Sequence, residues 1–322
     1  MTARATDLAQ RLQEGCDRIV VGNDRASYAF LIALLGNGHI LLEGVPGTAK
    51  TLVVRTFAAL LGAPFRRIQF TPDLMPADVV GTTVFNPQTI DFAFRRGPIF
   101  TSVLLADEIN RTPPKTQSAL LEAMEERQVT IDGESHALPG LFIVCATQNP
   151  IEFEGTYPLP EAQLDRFFVR AKTGYPSETQ ERALLARGVA GFDARDLGGA
   201  GLTVLASSGD VLAAQAAVRA VYVADALQAY LYAIVARTRS ATDVALGASP
   251  RALLALLVAS QAAAIIDGRT YATPDDVKAV APLVLAHRLI IRPEAEIEGV
   301  TPERVIERIL ASVDVPKVEA PL

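Results

Sequence analysis

Tryptophan is absent from this sequence of 322 residues, and cysteine and histidine are scarce, at two and three. The cysteines, Cys16 and Cys145, are far apart and form no ligand pattern, which suits a reducing compartment. The histidines, His39, His136 and His287, are scattered, and that spacing argues against a metal site built from them. Positive charge is not in excess. A net charge of −6 leaves no broad basic field for nucleic acid, only room for a local basic strip. Long apolar runs are missing too. The most apolar window, Ala252–Ile266, contains Ser260 and Gln261 and falls short of the roughly 20 residues a membrane-spanning helix needs. Near the N-terminus, Arg4, Asp7, Arg11 and Glu14 interrupt short apolar steps, unlike a signal peptide. No internal repeat or low-complexity tract stands out. The expectation is a cytoplasmic protein without a transmembrane segment. What remains is half apolar and one-fifth charged, the mix of a core-forming chain, at a length that fits about two domains.

The chemistry begins at residues 40–51. A short apolar run, Ile40–Leu42, reads as a buried strand. Gly44, Val45, Pro46, Gly47, Thr48 and Ala49 form a turn, and Lys50 and Thr51 open an apolar stretch at helical spacing. Strand, glycine-rich turn, Lys-Thr and helix is the context of a phosphate-binding P-loop. Backbone N–H groups and a helix N-terminus converge there on anionic oxygens. Lys50 reaches the β/γ-phosphates, and the Thr51 hydroxyl is a Mg²⁺ ligand. Ala49 departs from the general pattern, standing where a second glycine usually sits.

The second landmark is Val103–Glu108. Its apolar run suits a central parallel strand, and it ends in two adjacent carboxylates at the strand's C-terminal end, where ligands of open α/β sheets bind. Read as a Walker B motif, it assigns Asp107 to Mg²⁺ and makes Glu108 the general base that polarises water. Leu141–Thr147 is a further buried strand followed by Gln148-Asn149-Pro150. Asn149 can hold the lytic water or the γ-phosphate; a turn asparagine before proline fits the local pattern equally well. Asp132-Gly133 between apolar runs predicts a hairpin, and residues 82–98 fit two short strands or an irregular insertion. Asp24 could cap a helix whose apolar face is Ala26, Phe30, Leu31, Leu34 and Leu35. From Val211 onward the pattern is helical, with segments near 210–219, 222–239, 250–267, 274–290 and 301–312.

Five blocks together resemble the MoxR family of AAA+ ATPases: 44–51, 69–81, 106–130, 146–150 and 159–167. The resemblance covers about residues 15–310, its 106–130 block is the most specific, and alanine before the P-loop lysine is common in the family. It implies an α/β fold: a P-loop αβα parallel-sheet nucleotide domain over 1–175, with a helix-2 insertion at about 82–98 and a hairpin at about 128–140. An all-helical lid over 176–322 follows. It implies ATP and Mg²⁺ as cofactors, and a homo-oligomer, a hexameric ring, with ATP between neighbours. Asn149 matches sensor 1. Arg166 matches the arginine finger, where a fixed guanidinium offsets charge on the transferred phosphoryl group. Arg251, after Ser249-Pro250, matches sensor 2 and would tie lid position to nucleotide state. Val20, Val21 and Gly22 match the segment that packs on adenine. Locally, Arg166 could pair with Asp165 or Glu161, and Arg251 could be an ordinary first-turn residue. Arg95, Arg96 and Arg111 are weaker candidates for ring contacts or pore-facing roles.

The function implied is an ATP-driven chaperone or assembly factor. Its partner is a von Willebrand factor A domain protein in trans, since this chain carries no such domain. Two other classes compete: a nucleotide-gated scaffold with little turnover, which Glu108 argues against, and a DNA-handling AAA+ motor, which the net charge argues against. A GTPase lacks support because no Asn-Lys-x-Asp motif occurs.

Overall fold

The computed structural model describes residues 2–88, 90–150, 155–194 and 196–317. Helices α1 (Thr2–Ile19) and α2 (Asp24–Leu35) precede β1 (Ile40–Gly44), α3 (Lys50–Leu60) and β2 (Phe65–Gln69). Next come α4 (Pro76–Val80), β3 (Gly81–Asn86), β4 (Asp91–Arg96) and β5 (Val103–Asp107). Then follow α5 (Pro114–Glu126), β6 (Gln128–Ile131), β7 (Glu134–Ala137), β8 (Ile143–Gln148), α6 (Glu161–Leu164) and β9 (Val169–Thr173). Helices α7 (Glu178–Val189), α8 (Ser208–Arg219) and α9 (Asp225–Ser240) lead to β10 (Val244–Leu246) and α10 (Pro250–Ile266). The chain continues through α11 (Pro274–Leu285), β11 (Ile290–Ile291), α12 (Pro293–Ile297) and α13 (Pro302–Ser312).

Five strands form one parallel sheet in the order β2-β5-β8-β1-β9. Their central members open on apolar runs, Ile40–Leu42, Val103–Ala106 and Ile143–Ala146, because both faces are covered, and turn polar at their C-terminal ends. Side chains alternate between faces: Ile40, Leu42, Val103, Leu105, Ile143 and Cys145 join one core, and Leu41, Leu104, Ala106, Val144 and Ala146 the other. The first core continues through α1–α3 into the lid helices, and Phe30 stacks on Phe57 at 4.5 Å between centroids. The second lies under α4 and α5. Helix α1 packs against α3 and also against α8 and α10 of the lid.

Of the two readings for residues 82–98, two short strands hold and an irregular insertion does not. β3 and β4 pair as an antiparallel hairpin, Gly81 opposite Arg96. It meets the β6–β7 hairpin, where Thr83 donates to Asp132 at 2.5 Å and Phe94 stacks on His136. The lid is helical, with one small addition: β10 and β11 pair antiparallel. Asp24 is the first residue of α2 instead of its cap; Asn23 holds the cap position. The Asn23 amide makes no cap bond and donates instead to the Thr48 carbonyl at 2.9 Å.

Two buried histidines brace the sheet's N-terminal edge. His39 Nδ1 accepts from the Val144 N–H at 3.0 Å, so Nε2 carries the proton and donates to the Met124 carbonyl at 3.1 Å. His287 Nε2 bonds the Phe167 carbonyl at 3.0 Å. Burial, with Arg127 nearby, pushes His39 down to about 3; burial, with Arg288 and Arg170 nearby, holds His287 well below its ordinary value. Below an unfolded-state value of about 6.5, unfolded chains take up protons that the folded rings refuse. Stability is therefore expected to fall as pH drops from about 6.5 toward 3, at about 1.4 kcal/mol per pH unit for His39 alone. Denaturant titrations at pH 7 and 5 check this. A slope between them that is unchanged in His39→Gln would remove His39 as a cause.

Candidate functional site

The P-loop leaves β1 at its C-terminal end and enters α3 at Lys50. The turn needs unusual backbone: Gly47 has φ +81° and Ala49 φ +55°. Left-handed backbone costs a residue with a Cβ roughly 1 kcal/mol, which is why glycine is the common choice. At Gly44 the reason is proximity. An added Cβ would lie 2.1 Å from Thr173 Oγ1 and 2.3 Å from the Thr173 carbonyl oxygen. Thr48, buried, donates to the Val45 carbonyl at 3.0 Å and meets Thr173 Oγ1 at 3.1 Å, which pins the loop to β9. The Lys50 ammonium donates to the carbonyls of Gly44 (2.6 Å) and Val45 (2.7 Å). Burial pushes its pKa down, and the Asp107 and Glu108 carboxylates oppose that shift.

Gly44, Pro46, Gly47, Thr48, Ala49, Lys50 and Thr51 line a cavity of about 480 Å³ together with Asp107, Glu108 and Asn149. The residues singled out at Gly44–Thr51, Asp107–Glu108 and Asn149 thus meet at one place, at the C-terminal edge of the sheet. Val45 joins through its carbonyl, bonded to Lys50. Thr51 and Asp107 offer a hydroxyl and a carboxylate to the same space. No cluster of three or more His, Cys, Asp or Glu side chains suited to a metal occurs among the described residues. That sparse oxygen set fits Mg²⁺, which keeps its waters and takes its remaining ligands from phosphate. Val20, Val21 and Gly22 do not line this cavity. Gly22 (φ +78°) lies against Pro176 and Gln180, and the adjoining Asn23 ties the segment to the loop.

Three residues at the site were not foreseen. Thr147 Oγ1 donates to Asp107 Oδ1 at 2.5 Å and accepts from the Glu108 N–H at 2.9 Å, setting both acids from the neighbouring strand. Arg67 donates twice to Asp107 Oδ2, at 3.0 and 2.7 Å. Gln69 donates to Glu108 Oε2 at 2.7 Å, and Arg111 pairs with the same oxygen at 3.2 Å. Glu108 itself has φ +59°, which turns its side chain out of the strand line. Arg111, a weaker candidate for a ring contact or a pore-facing role, is here a partner of Glu108 within the chain.

Arg166 and Arg251 stand elsewhere. They line a second cavity of about 400 Å³ together with Gly36–His39, just before β1, and Phe168, just before β9. This is the N-terminal edge of the sheet. The five-residue strand β1 separates it from the P-loop by about 16 Å, beyond the reach of an arginine. Arg166 pairs with neither Asp165 nor Glu161. It bonds the Leu121 carbonyl at 3.0 Å and Glu125 at 3.1 Å. Arg251, exposed in the first turn of α10, also pairs with Glu125. Arg251 is therefore not placed to sense nucleotide in its own P-loop.

A family model described as "ATPase family associated with various cellular activities (AAA)" matches residues 39–169, and one for the AAA lid domain matches 236–309. The chaperone MoxR1 of Mycobacterium tuberculosis is 46% identical over 313 residues, covering 94% of this chain and 81% of the relative. The chain belongs to the MoxR family of AAA+ ATPases. Similarity to other proteins is equally extended. The uncharacterized protein YeaC of Bacillus subtilis is 47% identical, covering 94% and 93% of the two chains. A crystal structure of a protein assigned as an ATPase, from Cytophaga hutchinsonii, superposes with TM-score 0.89 at 39% identity, covering 98% and 97%. The AAA+ nucleotide fold with its helical lid accounts for the sheet order and the P-loop cavity. No helix among the described residues is long and apolar enough to cross a membrane.

Proposed function

We propose that this MoxR-family chain hydrolyses ATP at sites shared between identical subunits and uses the cycle to remodel or mature a client complex. The carrying observation is the separation of the P-loop from Arg166 and Arg251, at opposite edges of one sheet. One copy holds phosphates with Lys50 and the loop N–H groups; a second copy supplies the guanidiniums. Such a head-to-tail contact repeats, and forms a ring where its rotation closes, hexameric by family resemblance. Val20, Val21 and Gly22 pack on adenine. Thr51 and Asp107 would hold Mg²⁺, which would supply charge neutralisation at the phosphates. Asn149 fixes the lytic water, and Glu108 takes its proton once the carboxylate leaves Gln69 and Arg111. The description of the Mycobacterium tuberculosis relative as a chaperone supports the remodelling reading. A von Willebrand factor A domain protein acting in trans and a cytoplasmic setting complete it.

Concentration tests the shared site. At fixed saturating ATP and Mg²⁺, turnover per subunit should rise with protein concentration and plateau as assembly completes by sedimentation. Constant turnover down to a fully monomeric sample would refute it.

A further inference from the structure

Two arginines from different parts of the chain meet on one carboxylate. Arg166 follows α6, and Arg251 stands in the first turn of α10 in the lid. Glu125, near the end of α5, gives Oε2 to Arg166 Nη1 at 3.1 Å and Oε1 to Arg251 Nη2. A carboxylate with its two oxygens committed to different guanidiniums fixes the spacing between them. The buried cation of this cavity, Arg288, is already committed. Arg288 binds Asp165 at 2.7 Å and the carbonyls of Val284, Phe167 and Phe168. Arg166 and Arg251 share a single acid, so the pair keeps surplus positive charge and spare N–H donors at the cavity mouth. Without that acid, like charges repel and two long side chains spread over many rotamers.

We propose that Glu125 is a positioning residue that yokes Arg166 and Arg251 into one fork for the phosphates of a second copy. This rests on the shared-site reading above. Glu125 acts through the arginines and touches no phosphate. The joint between α10 and the sheet does not depend on it, because Asp165 already ties Ser249 (3.2 Å) and Arg288 across that joint.

The test separates the two sides of an interface. Lys50→Ala subunits donate arginines only. Arg166→Ala/Arg251→Ala subunits donate a P-loop only. In a mixture, turnover comes from hybrid interfaces. Glu125→Gln added to the arginine donor is expected to lower mixed turnover about 10- to 100-fold, with KM for ATP within about twofold. The same change in the P-loop donor should leave turnover within about twofold. Unfolding midpoints of all variants show that each is folded. Equal losses on both sides would mean a structural role and overturn the proposal, as would no loss, or a gain, on the donor side. A mixture inactive before Glu125 is touched overturns the shared site itself, a distinguishable failure.

Discussion

Arg166→Ala should lower ATP turnover about 10³-fold or more, the scale on which a trans-acting arginine contributes to phosphoryl transfer. The physical basis is charge. As the γ-phosphoryl group leaves, negative charge spreads over its oxygens, and a guanidinium held in a water-poor interface offsets it. Because Arg166 lies at the N-terminal edge of the sheet, away from the P-loop cavity, its loss should leave ATP affinity in the isolated chain unchanged. Steady-state turnover and fluorescent-nucleotide binding measure the two quantities. Weakened binding by the monomer at unchanged turnover would place Arg166 in its own subunit's site.

Glu108→Gln should bind ATP at wild-type strength and lose turnover by about 10²- to 10⁴-fold, the range for removing a general base. The amide keeps the shape of the side chain and can still bond to Gln69 and Arg111, so the local fold should survive. It cannot take a proton from water. Phosphate release and retained nucleotide, measured on one sample, decide the point. Near-wild-type turnover would remove Glu108 from the assigned role. The same variant, loaded with ATP in cells, should hold clients and any von Willebrand factor A domain partner long enough to co-purify.

Both acids and the P-loop were legible because their chemistry is local in sequence. A strand, a turn and two or three polar residues suffice. The central strands were legible for the same reason: burial on both faces makes their first three or four residues an unbroken apolar run. Arg67, Gln69 and Thr147 were not. Each reaches the site through strand register, as Gln69 sits opposite Asp107 across β2 and β5, and no local pattern announces it. Asn23-Asp24 before a helix reads as a cap at either residue, and nothing local shows that the Asn23 amide serves the P-loop backbone instead. β10 and β11, at three and two residues, are too short for any periodicity to register. The side on which Arg251 emerges depends on how the lid packs, which helical periodicity leaves open, whereas Arg166 could have been placed at the N-terminal edge from its position just before β9.

The distance between the P-loop and the two arginines has an arithmetic consequence. If every complete site needs the loop of one copy and the arginines of the next, an open row of subunits has one fewer complete site than it has members. One loop and one arginine pair stand idle at its ends. Closing the row converts both idle ends into a working site in one step. The relative gain is greatest for small assemblies and vanishes for long filaments, so catalysis itself would favour compact closed assemblies over open ones.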